Sequence, residues 1–368
     1  MIDLANTYVC TGFPGYLASN IVEELFFEGY PVDKIYLIHL PEMEGLAEQR
    51  VAELAKEIYV DRQKIELVSG DITKPELGLD PSLRAKLERE TTHFFHLAAL
   101  YDLAVSLTKA WRVNVQGTRE VNQWLRSFLK LQRYLYFSSA YVSGKREGKI
   151  YEDELTHQEG FKNHYEYTKY EAEKLVASEK EHLPITIIRP GIVVGHSRTG
   201  ETLKFDGPYF VLNMLDRFRT LPVIPQFGKG EAKVNLVPQD YVIKASIYLV
   251  HIQKSEGKTY HLTDPDPYTA REIYQLFSDI YLNRRPKLNL PGTVANQGLQ
   301  IRSIRKKLGI QKEAMDYFLT QSEYDSTEAQ NDLQGSSITC PDLTSYVQTL
   351  IDYYGRHKHD QRKHTSLL

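Results

Sequence analysis

The sequence contains few cysteines and no long apolar run. Its only two cysteines, Cys10 and Cys340, stand far apart in a chain of 368 residues. This excludes the disulfide framework of a small secreted domain and favours a reducing setting. No run of about 18 apolar residues occurs, although a membrane-spanning helix needs one. The first residues also lack the basic and apolar segments of a secretory signal. We therefore expect a cytoplasmic protein without a transmembrane segment.

The sequence also lacks a strong excess of either charge. It has 45 Lys and Arg against 48 Asp and Glu, which gives a net charge of −3. Its one dense basic run, residues 356–364, is too short to define a nucleic-acid-binding face. We expect this tail to be solvated and frayed. No nucleic-acid partner is predicted.

No pattern of metal ligands stands out. His93 and His96 lie three apart on a predicted buried strand, so their side chains should point to opposite faces and cannot easily share an ion. The remaining histidine group, His357, His359 and His364, falls in the basic tail. We predict no metal site.

A glycine-spaced turn at residues 11–18, Thr-Gly-Phe-Pro-Gly-Tyr-Leu-Ala, follows a short apolar segment and opens a helical pattern. Gly12 can adopt backbone angles that a Cβ forbids, Gly15 allows close approach of a ligand, and Ala18 permits tight packing of helix on strand. The free N–H groups at the start of the helix would then face an anion. The turn predicts a cradle for nucleotide phosphates, with an ordinary strand-to-helix turn as the alternative.

Apolar strands alternate with helical patterns from residue 7 to residue 189, which predicts a parallel sheet covered by helices on both faces. We expect an α/β fold of the Rossmann type, a doubly wound parallel sheet, with a smaller and mostly helical C-terminal substrate domain. The dinucleotide-binding domain should comprise residues 1–200 and 231–264, and the substrate-binding region residues 201–230 and 265–345. A terminal helix and flexible basic tail should occupy residues 346–368.

A tyrosine and a lysine four residues apart, Tyr165 and Lys169, share one face of a predicted helix. A nearby ammonium favours the phenolate and lowers the pKa of a tyrosine toward neutrality, which makes it a usable proton donor or acceptor. Ser139 follows an earlier apolar strand, so its hydroxyl should lie at the carboxyl edge of the sheet, where ligands bind. A second pair, Tyr170 and Lys174, is rotated by about 140° around the helix and cannot face the same cleft.

Eight segments in fixed order resemble motifs of the extended short-chain dehydrogenases/reductases. They are Thr-Gly-x-x-Gly-x-x-Ala at 11–18, Gly-Asp-Ile at 70–72, His-Leu-Ala-Ala at 96–99, Asn-Val-x-Gly-Thr at 114–118, Ser-Ser-Ala-Tyr-Val-x-Gly at 138–144, Tyr-x-x-Thr-Lys-x-x-Ala-Glu at 165–173, Arg-Pro-Gly-Ile-Val at 189–193 and Val-Asn-Leu-Val-Pro-x-Asp at 234–240. Within that superfamily the chain resembles the thioester-reductase or fatty-acyl-CoA-reductase (male sterility) NAD-binding group.

The resemblance implies an NAD(P)-dependent oxidoreductase in which a reduced nicotinamide delivers hydride to a carbonyl carbon. Tyr165 would give a proton to the developing alkoxide, and Ser139 would hydrogen-bond the same oxygen. Lys169 would hold the nicotinamide ribose and lower the pKa of Tyr165. Asn114 would position a water behind Lys169. These four residues form the predicted catalytic set.

The resemblance also implies the cofactor contacts. They are Gly12, Phe13, Pro14, Gly15, Tyr16, Leu17, His39, Arg50, Asp71, Ile72, Leu97, Ala98, Ala99, Tyr165, Lys169, Pro190, Gly191, Ile192 and Val193. The arginine that the acyl-reductase group usually carries near Leu40 is missing, and no carboxylate appears before Glu42. Because His39 or Arg50 could meet a 2′-phosphate, the prediction favours NADP(H) weakly over NAD(H).

The implied substrate is an acyl thioester, bound to coenzyme A or to an acyl carrier protein, which is reduced to an aldehyde. A free aldehyde or ketone is a close relative. An NAD-dependent nucleotide-sugar epimerase or dehydratase is one alternative, and a non-catalytic NADP(H)-sensing protein is another. The sequence leaves the chain length of the substrate, the direction of the reaction and the oligomeric state open.

Overall fold

The structure of the chain is a computed structural model that describes residues 6–57, 59–290, 317 and 319–364. The strands are β1 (Asn6–Thr11), β2 (Val32–His39), β3 (Ile65–Ser69), β4 (His93–His96), β5 (Arg133–Phe137), β6 (Gly148–Ile150), β7 (Ile185–Pro190), β8 (Ile192–Val194), β9 (Pro225–Phe227), β10 (Leu236–Pro238), β11 (Thr259–Leu262), β12 (Leu288–Leu290) and β13 (Ser322–Tyr324). The α-helices are α1 (Tyr16–Phe27), α2 (Glu44–Glu57), α3 (Pro81–Glu90), α4 (Leu107–Ala110), α5 (Gly117–Leu125), α6 (His164–Ala177), α7 (Tyr209–Phe218), α8 (Gln239–His251), α9 (Ala270–Leu282), α10 (Thr327–Leu333) and α11 (Leu343–His357). A helix predicted at 301–308 lies outside the described residues.

Seven of the described strands form one parallel sheet in the order β11–β7–β5–β4–β1–β2–β3. Strands covered on both faces need apolar side chains at nearly every position, and all residues of β5 are buried. Apolar residues of α1, α2 and α8 pack on one face of the sheet, and those of α3, α5 and α6 on the other. The predicted doubly wound α/β fold is confirmed.

The strand order reverses at β1, which pairs with β2 on one side and β4 on the other. At such a point the connections leave on opposite faces and open a crevice outside the carboxyl ends of the strands. Thr11 at the end of β1 pairs with His96 at the end of β4. The glycine-spaced turn therefore begins at the mouth of this crevice.

A third apolar cluster lies beside the sheet and is built mainly by α7, α9 and α11. The terminal helix α11 was expected as a separate piece, but Tyr346 and Leu350 pack inside this cluster. Helix α10, expected in the substrate region, contributes Ala329 and Leu333 to the core of the sheet side instead. The C-terminal segments are thus divided between the core of the sheet and the third apolar cluster.

The basic tail is not frayed as the sequence suggested. The carbonyl of Lys363 accepts the N–H of Phe205 at 2.6 Å, and Lys363 Nζ donates to the carbonyl of Thr202 at 2.7 Å. The ring of His364 packs 5.6 Å from that of Phe205. The tail, through Lys363 and His364, therefore holds the loop that follows Gly200 in place.

Two predicted elements differ in detail. The sequence pattern also predicts a helix at 111–129; in the structure the helical segment begins with α4 and ends with α5, and a π-helical segment, Trp111–Gln116, joins the two. The pattern predicts a strand at 234–237 as well, which appears as β10 and pairs with β8 rather than with the central sheet. None of the described helices is both long and apolar enough to cross a membrane.

Candidate active site

The glycine-spaced turn has no room for side chains at its two glycines. Gly12 has a φ of +90°, and a Cβ there would lie 2.8 Å from the backbone nitrogen of Ala98. A Cβ on Gly15 would lie 2.6 Å from the carbonyl oxygen of Gly12. Since Gly15 caps α1 and has no side chain, the first N–H groups of the helix stay open to an anion. The turn therefore has the open N–H groups that a pyrophosphate would need, and its role as a phosphate cradle stays a prediction.

A buried hydrogen-bond chain holds the ends of β1 and β4 together below this turn. Thr11 Oγ1 lies 2.7 Å from His96 Nδ1, and His96 Nε2 lies 3.1 Å from Thr118 Oγ1. The N–H of Ala98 also donates to Thr11 Oγ1 at 3.2 Å. Burial lowers the pKa of His96 to about 3, so the ring is neutral at physiological pH. His96 is therefore a structural bridge, and the described residues contain no cluster of potential metal ligands.

Asn114 lies in the π-helical segment, a helix distortion that is frequent at functional sites. Its Oδ1 accepts the N–H of Leu100 at 2.8 Å. Its Nδ2 donates to Thr168 Oγ1 at 3.0 Å and to the carbonyl of Leu100 at 3.3 Å. Asn114 thus ties the segment after β4 to α6, one residue before Lys169. These bonds describe a positioning residue, and the predicted water relay stays a prediction.

The two serines after β5 have different partners. Ser138 donates to the carboxylate of Glu173, which is buried and pairs with Arg189 at 2.6 Å. Ser139 Oγ accepts the N–H of Tyr141 at 3.2 Å, caps a short 3₁₀ turn and lines the crevice. The buried ion pair anchors the strand end, which leaves the Ser139 hydroxyl at the carboxyl edge of the sheet as predicted.

Lys169 lies almost fully buried at the foot of the crevice. Its Nζ donates to the carbonyl of Phe137 and lies 4.6 Å from the ring centroid of Tyr136. Burial lowers the pKa of Lys169 to about 7, although the carboxylate of Glu173 opposes the shift. The ammonium is therefore held by one carbonyl and one ring face.

Tyr165 is a phenol that keeps its proton. Burial raises its pKa well above the ordinary value, and the charge of Glu166 adds to the shift. The expected lowering by Lys169 is wrong for this structure, because the ammonium lies against Phe137 and Tyr136. The ring of Tyr165 packs edge-on against Tyr101 at 5.1 Å.

The second tyrosine–lysine pair of α6 serves packing. Tyr170 is buried against the rings of His157 and Phe161 at 5.1 and 5.0 Å. Lys174 is exposed and pairs with Glu171 at 3.0 Å. Only the first pair, Tyr165 and Lys169, lines the crevice.

The crevice forms a cleft of about 900 Å³ that brings most predicted site residues together. Ser139 lines it, as do Gly12, Phe13, Pro14, Gly15, Tyr16, Leu17, His39, Asp71, Ile72, Leu97, Ala98, Ala99, Tyr165, Lys169, Pro190, Gly191, Ile192 and Val193. Asn114 and Arg50 are not among the residues that line it. The tyrosine, lysine and serine thus share one cleft with the glycine-spaced turn.

Arg50, one of the two residues suggested for contact with a 2′-phosphate, is not among the residues that line the cleft. The guanidinium lies within 3.6, 3.5 and 3.3 Å of the carboxylates of Glu23, Glu53 and Glu57. Three acidic partners on α1 and α2 hold the side chain away from the cleft. A phosphate would have to displace carboxylates that already compensate the charge.

Several residues of the cleft wall were not predicted. Tyr101, Tyr141 and Tyr317 line it, together with Lys204 and Asp206 of the loop that the tail fastens. Burial raises the pKa of Asp206 to about 6, opposed by Lys204. The sequence offered two signals, because Tyr101 comes shortly after the motif at 96–99 and Tyr141 lies within the motif at 138–144.

The sheet order, the glycine-spaced turn and the Ser139–Tyr165–Lys169 arrangement define an NAD-binding domain of the extended short-chain dehydrogenase/reductase type. Residues 10–246 match the family model described as male sterility protein, an NAD-binding family. The chain belongs to this family.

Several of the proteins whose sequences are similar to this chain are fatty acyl-CoA reductases. The chain is 26% identical over 269 residues to the fatty acyl-CoA reductase wat of Drosophila melanogaster, covering 64% of this chain and 52% of the relative. It is 25% identical over 365 residues to fatty acyl-CoA reductase 1 of Arabidopsis thaliana, covering 78% and 72%. The chain spans only 50–58% of the length of the Drosophila relatives it matches.

Solved structures with the same fold include reductase domains of peptide synthetases. The terminal R domain of the myxalamid PKS-NRPS pathway superposes with a TM-score of 0.81 at 25% identity, covering 97% of this chain and 92% of that domain. The R domain of a nonribosomal peptide synthetase from Mycobacterium tuberculosis gives 0.71 at 20% identity, covering 97% and 92%. The NAD complex of UDP-glucuronic acid 4-epimerase from Bacillus cereus gives 0.65 at 18% identity, covering 95% and 99%, a likeness of fold alone.

Proposed function

We propose that the chain reduces an acyl thioester to an aldehyde at the expense of a reduced nicotinamide dinucleotide. The observation that carries this proposal is the placement of Ser139, Tyr165 and Lys169 in one cleft with the glycine-spaced turn. The bound cofactor supplies the hydride, and the protein supplies orientation and proton transfer.

The proton donor is Tyr165. Because burial raises its pKa, the phenol is protonated at neutral pH and can donate to the oxygen that becomes negative as hydride reaches the carbonyl carbon. Ser139 donates a second hydrogen bond to the same oxygen. The resulting thiohemiacetal loses its hydroxyl proton as its carbon–sulfur bond breaks. The sulfur leaves with a proton as a free thiol. An aldehyde remains.

The choice of a thioester rests on the relatives rather than on the catalytic residues. The sequence relatives named above are fatty acyl-CoA reductases. A thioester on coenzyme A or on a carrier protein presents the same carbonyl to Ser139 and Tyr165. We retain a free aldehyde or ketone as the neighbouring possibility. The cytoplasmic setting, expected from two unpaired cysteines, belongs to the same proposal.

The other sequence-based alternatives have weaker support. The sugar-nucleotide epimerases share the fold at 15–18% identity, which carries no substrate information. A sensor without turnover does not need a serine, a tyrosine and a lysine that line the same cleft. Neither alternative accounts for the relatives among acyl reductases.

A substrate screen tests the proposal. Purified protein is mixed with NADH or NADPH and with acyl-CoA thioesters of several chain lengths, carrier-bound thioesters, fatty aldehydes or ketones, and products are identified by mass spectrometry. We expect cofactor oxidation and free thiol with at least one thioester. Oxidation with aldehydes alone would overturn the thioester assignment, while a tightly bound NAD that is never consumed would favour the epimerase class.

A further inference from the structure

The cleft has a second functional end, where the adenosine of a dinucleotide would lie. In this fold the side chain that follows the second strand contacts the adenosine ribose and distinguishes NAD from NADP. In this chain His39 ends β2, and a short 3₁₀ turn, Pro41–Met43, follows directly. His39, Leu40, Glu42 and Met43 all line the cleft.

Glu42 is the charged residue of that turn. Its side chain is exposed and makes no hydrogen bond or ion pair with any residue that the structure describes. The neighbouring His39 is buried, and its Nδ1 lies 3.0 Å from the carbonyl oxygen of Leu40. Because a carbonyl oxygen only accepts, this nitrogen carries a hydrogen and is already used. Glu42 is therefore the exposed carboxylate at the end of β2 that can accept a hydrogen bond from a ligand.

The cations near this end lie on segments other than the turn after β2. Arg50 is held by three carboxylates outside the cleft. Lys109 and Arg112 reach the cleft from the helix after β4, where Arg112 Nη2 lies 3.4 Å from Thr73 Oγ1, beyond the end of β3. Lys169 lies at the catalytic end, and Lys204 lies on the loop after β8. Within the described part of the chain, the turn after β2 presents a carboxylate and no cation.

We propose that Glu42 accepts hydrogen bonds from the adenosine ribose hydroxyls and that the chain prefers NAD(H) to NADP(H). A carboxylate binds a 2′-hydroxyl well, whereas it repels a 2′-phosphate and offers it no donor. This reverses the weak preference for NADP(H) drawn from the sequence, which relied on His39 or Arg50. The inference rests on the proposed function only in requiring a nicotinamide dinucleotide in the cleft.

Direct binding tests the inference without any acyl substrate. Titrations of NADH and NADPH followed by cofactor fluorescence should give a dissociation constant about tenfold or more lower for NADH, the worth of one charge-assisted hydrogen bond. Glu42→Gln should reduce this ratio severalfold, and Glu42→Arg should invert it. Glu44→Gln is the matched control. Glu44 lies two residues after Glu42 and is also exposed, but it does not line the cleft.

Other outcomes contradict the inference. Tighter binding of NADPH by the wild type would overturn it, as would equal ratios in the Glu42→Gln and Glu44→Gln variants. Arg112→Ala tests the rival cation, and selective loss of NADPH binding in that variant would assign the 2′ position to Arg112 instead. Thermal unfolding of each variant confirms that it is folded. If NADH binds selectively but no thioester is reduced, the proposed function fails while this inference stands.

Discussion

The two ends of the cleft are built differently. At the catalytic end, Ser139 and Lys169 are supported by buried groups. Glu173 forms an ion pair with Arg189 behind them and accepts a hydrogen bond from Ser138. At the adenosine end, the exposed Glu42 has a short turn as its only support. Groups that react or bind need neighbours that hold them in place, and this support is stronger at the catalytic end. Substitutions should therefore have large and varied effects at the first end and narrow effects at the second.

The largest effect should come from the proton donor. Tyr165→Phe removes the phenolic hydroxyl but keeps the ring that packs on Tyr101, so turnover should fall by about 10²–10⁴-fold while NADH affinity stays close to that of the wild type. Steady-state kinetics and cofactor titration measure the two quantities. Tyr170→Phe, on the packing face of the same helix, should keep normal turnover. Full activity in Tyr165→Phe would remove the distinction between the two faces.

The buried ion pair Glu173–Arg189 behind the catalytic end can be removed without changing a residue that lines the cleft. Glu173→Gln leaves the buried guanidinium of Arg189 without its counter-charge, which should cost about 3–5 kcal/mol of unfolding free energy. Urea denaturation measures the change. Glu179→Gln is the matched control, because Glu179 pairs with an Arg126 side chain that is 54% exposed and should cost at most about 1 kcal/mol. Equal costs would mean that burial of the first pair is irrelevant.

Lys169 should take up a proton when the cofactor binds. Its pKa is lowered to about 7 by burial, and a ribose acceptor together with an anionic pyrophosphate would raise it. The protonated form then binds more tightly, so affinity should be highest below about pH 7 and fall as the pH rises. Calorimetry near pH 8 in buffers of different ionisation enthalpy should show uptake approaching one proton.

The control for this titration is Lys169→Met, which should show no proton uptake from this position. Absence of uptake by the wild type would show that the cofactor leaves this ammonium unchanged.

Because the folded-state pKa of Lys169 lies below its unfolded value, the buried ammonium also reduces folding stability at neutral and acidic pH. This cost shrinks as the pH rises toward the unfolded pKa.

The smallest effect should come from Arg50. Because the side chain is committed to Glu23, Glu53 and Glu57, Arg50→Met should change stability by less than about 1 kcal/mol and leave the ratio of NADH to NADPH affinity unaltered. Chemical denaturation and the cofactor titrations measure both. A selective loss of NADPH affinity would show that the arginine swings into the cleft after all.

The sequence was informative where residues are required by backbone geometry or buried charge. Gly12 and Gly15 admit no Cβ, and the serine, tyrosine and lysine occupy positions that the ends of β5 and the face of α6 determine. The fold and the catalytic end could therefore be predicted. The pKa direction of Tyr165 was not, because spacing on a helix does not say where an ammonium points once a carbonyl and a ring are available.

Other features depend on contacts between distant segments. Arg50 has the right sequence position for a phosphate contact, but its partners on α1 and α2 are visible only in three dimensions. The basic tail has the composition of a frayed end, yet Lys363 and His364 pack on Phe205, which lies more than 150 residues earlier in the chain. No periodicity in the sequence encodes either contact.

The central claim is that the cleft transfers hydride to the carbonyl carbon of an acyl thioester with Tyr165 as proton donor. It is tested most directly by supplying reduced cofactor deuterated on the transferring face of the nicotinamide, together with an accepted thioester, and analysing the product by mass spectrometry. We predict an aldehyde that carries one deuterium on its carbonyl carbon, at a rate lowered by the Tyr165→Phe substitution and preserved in Tyr170→Phe. An aldehyde without deuterium, or equal rates in both variants, would contradict the claim.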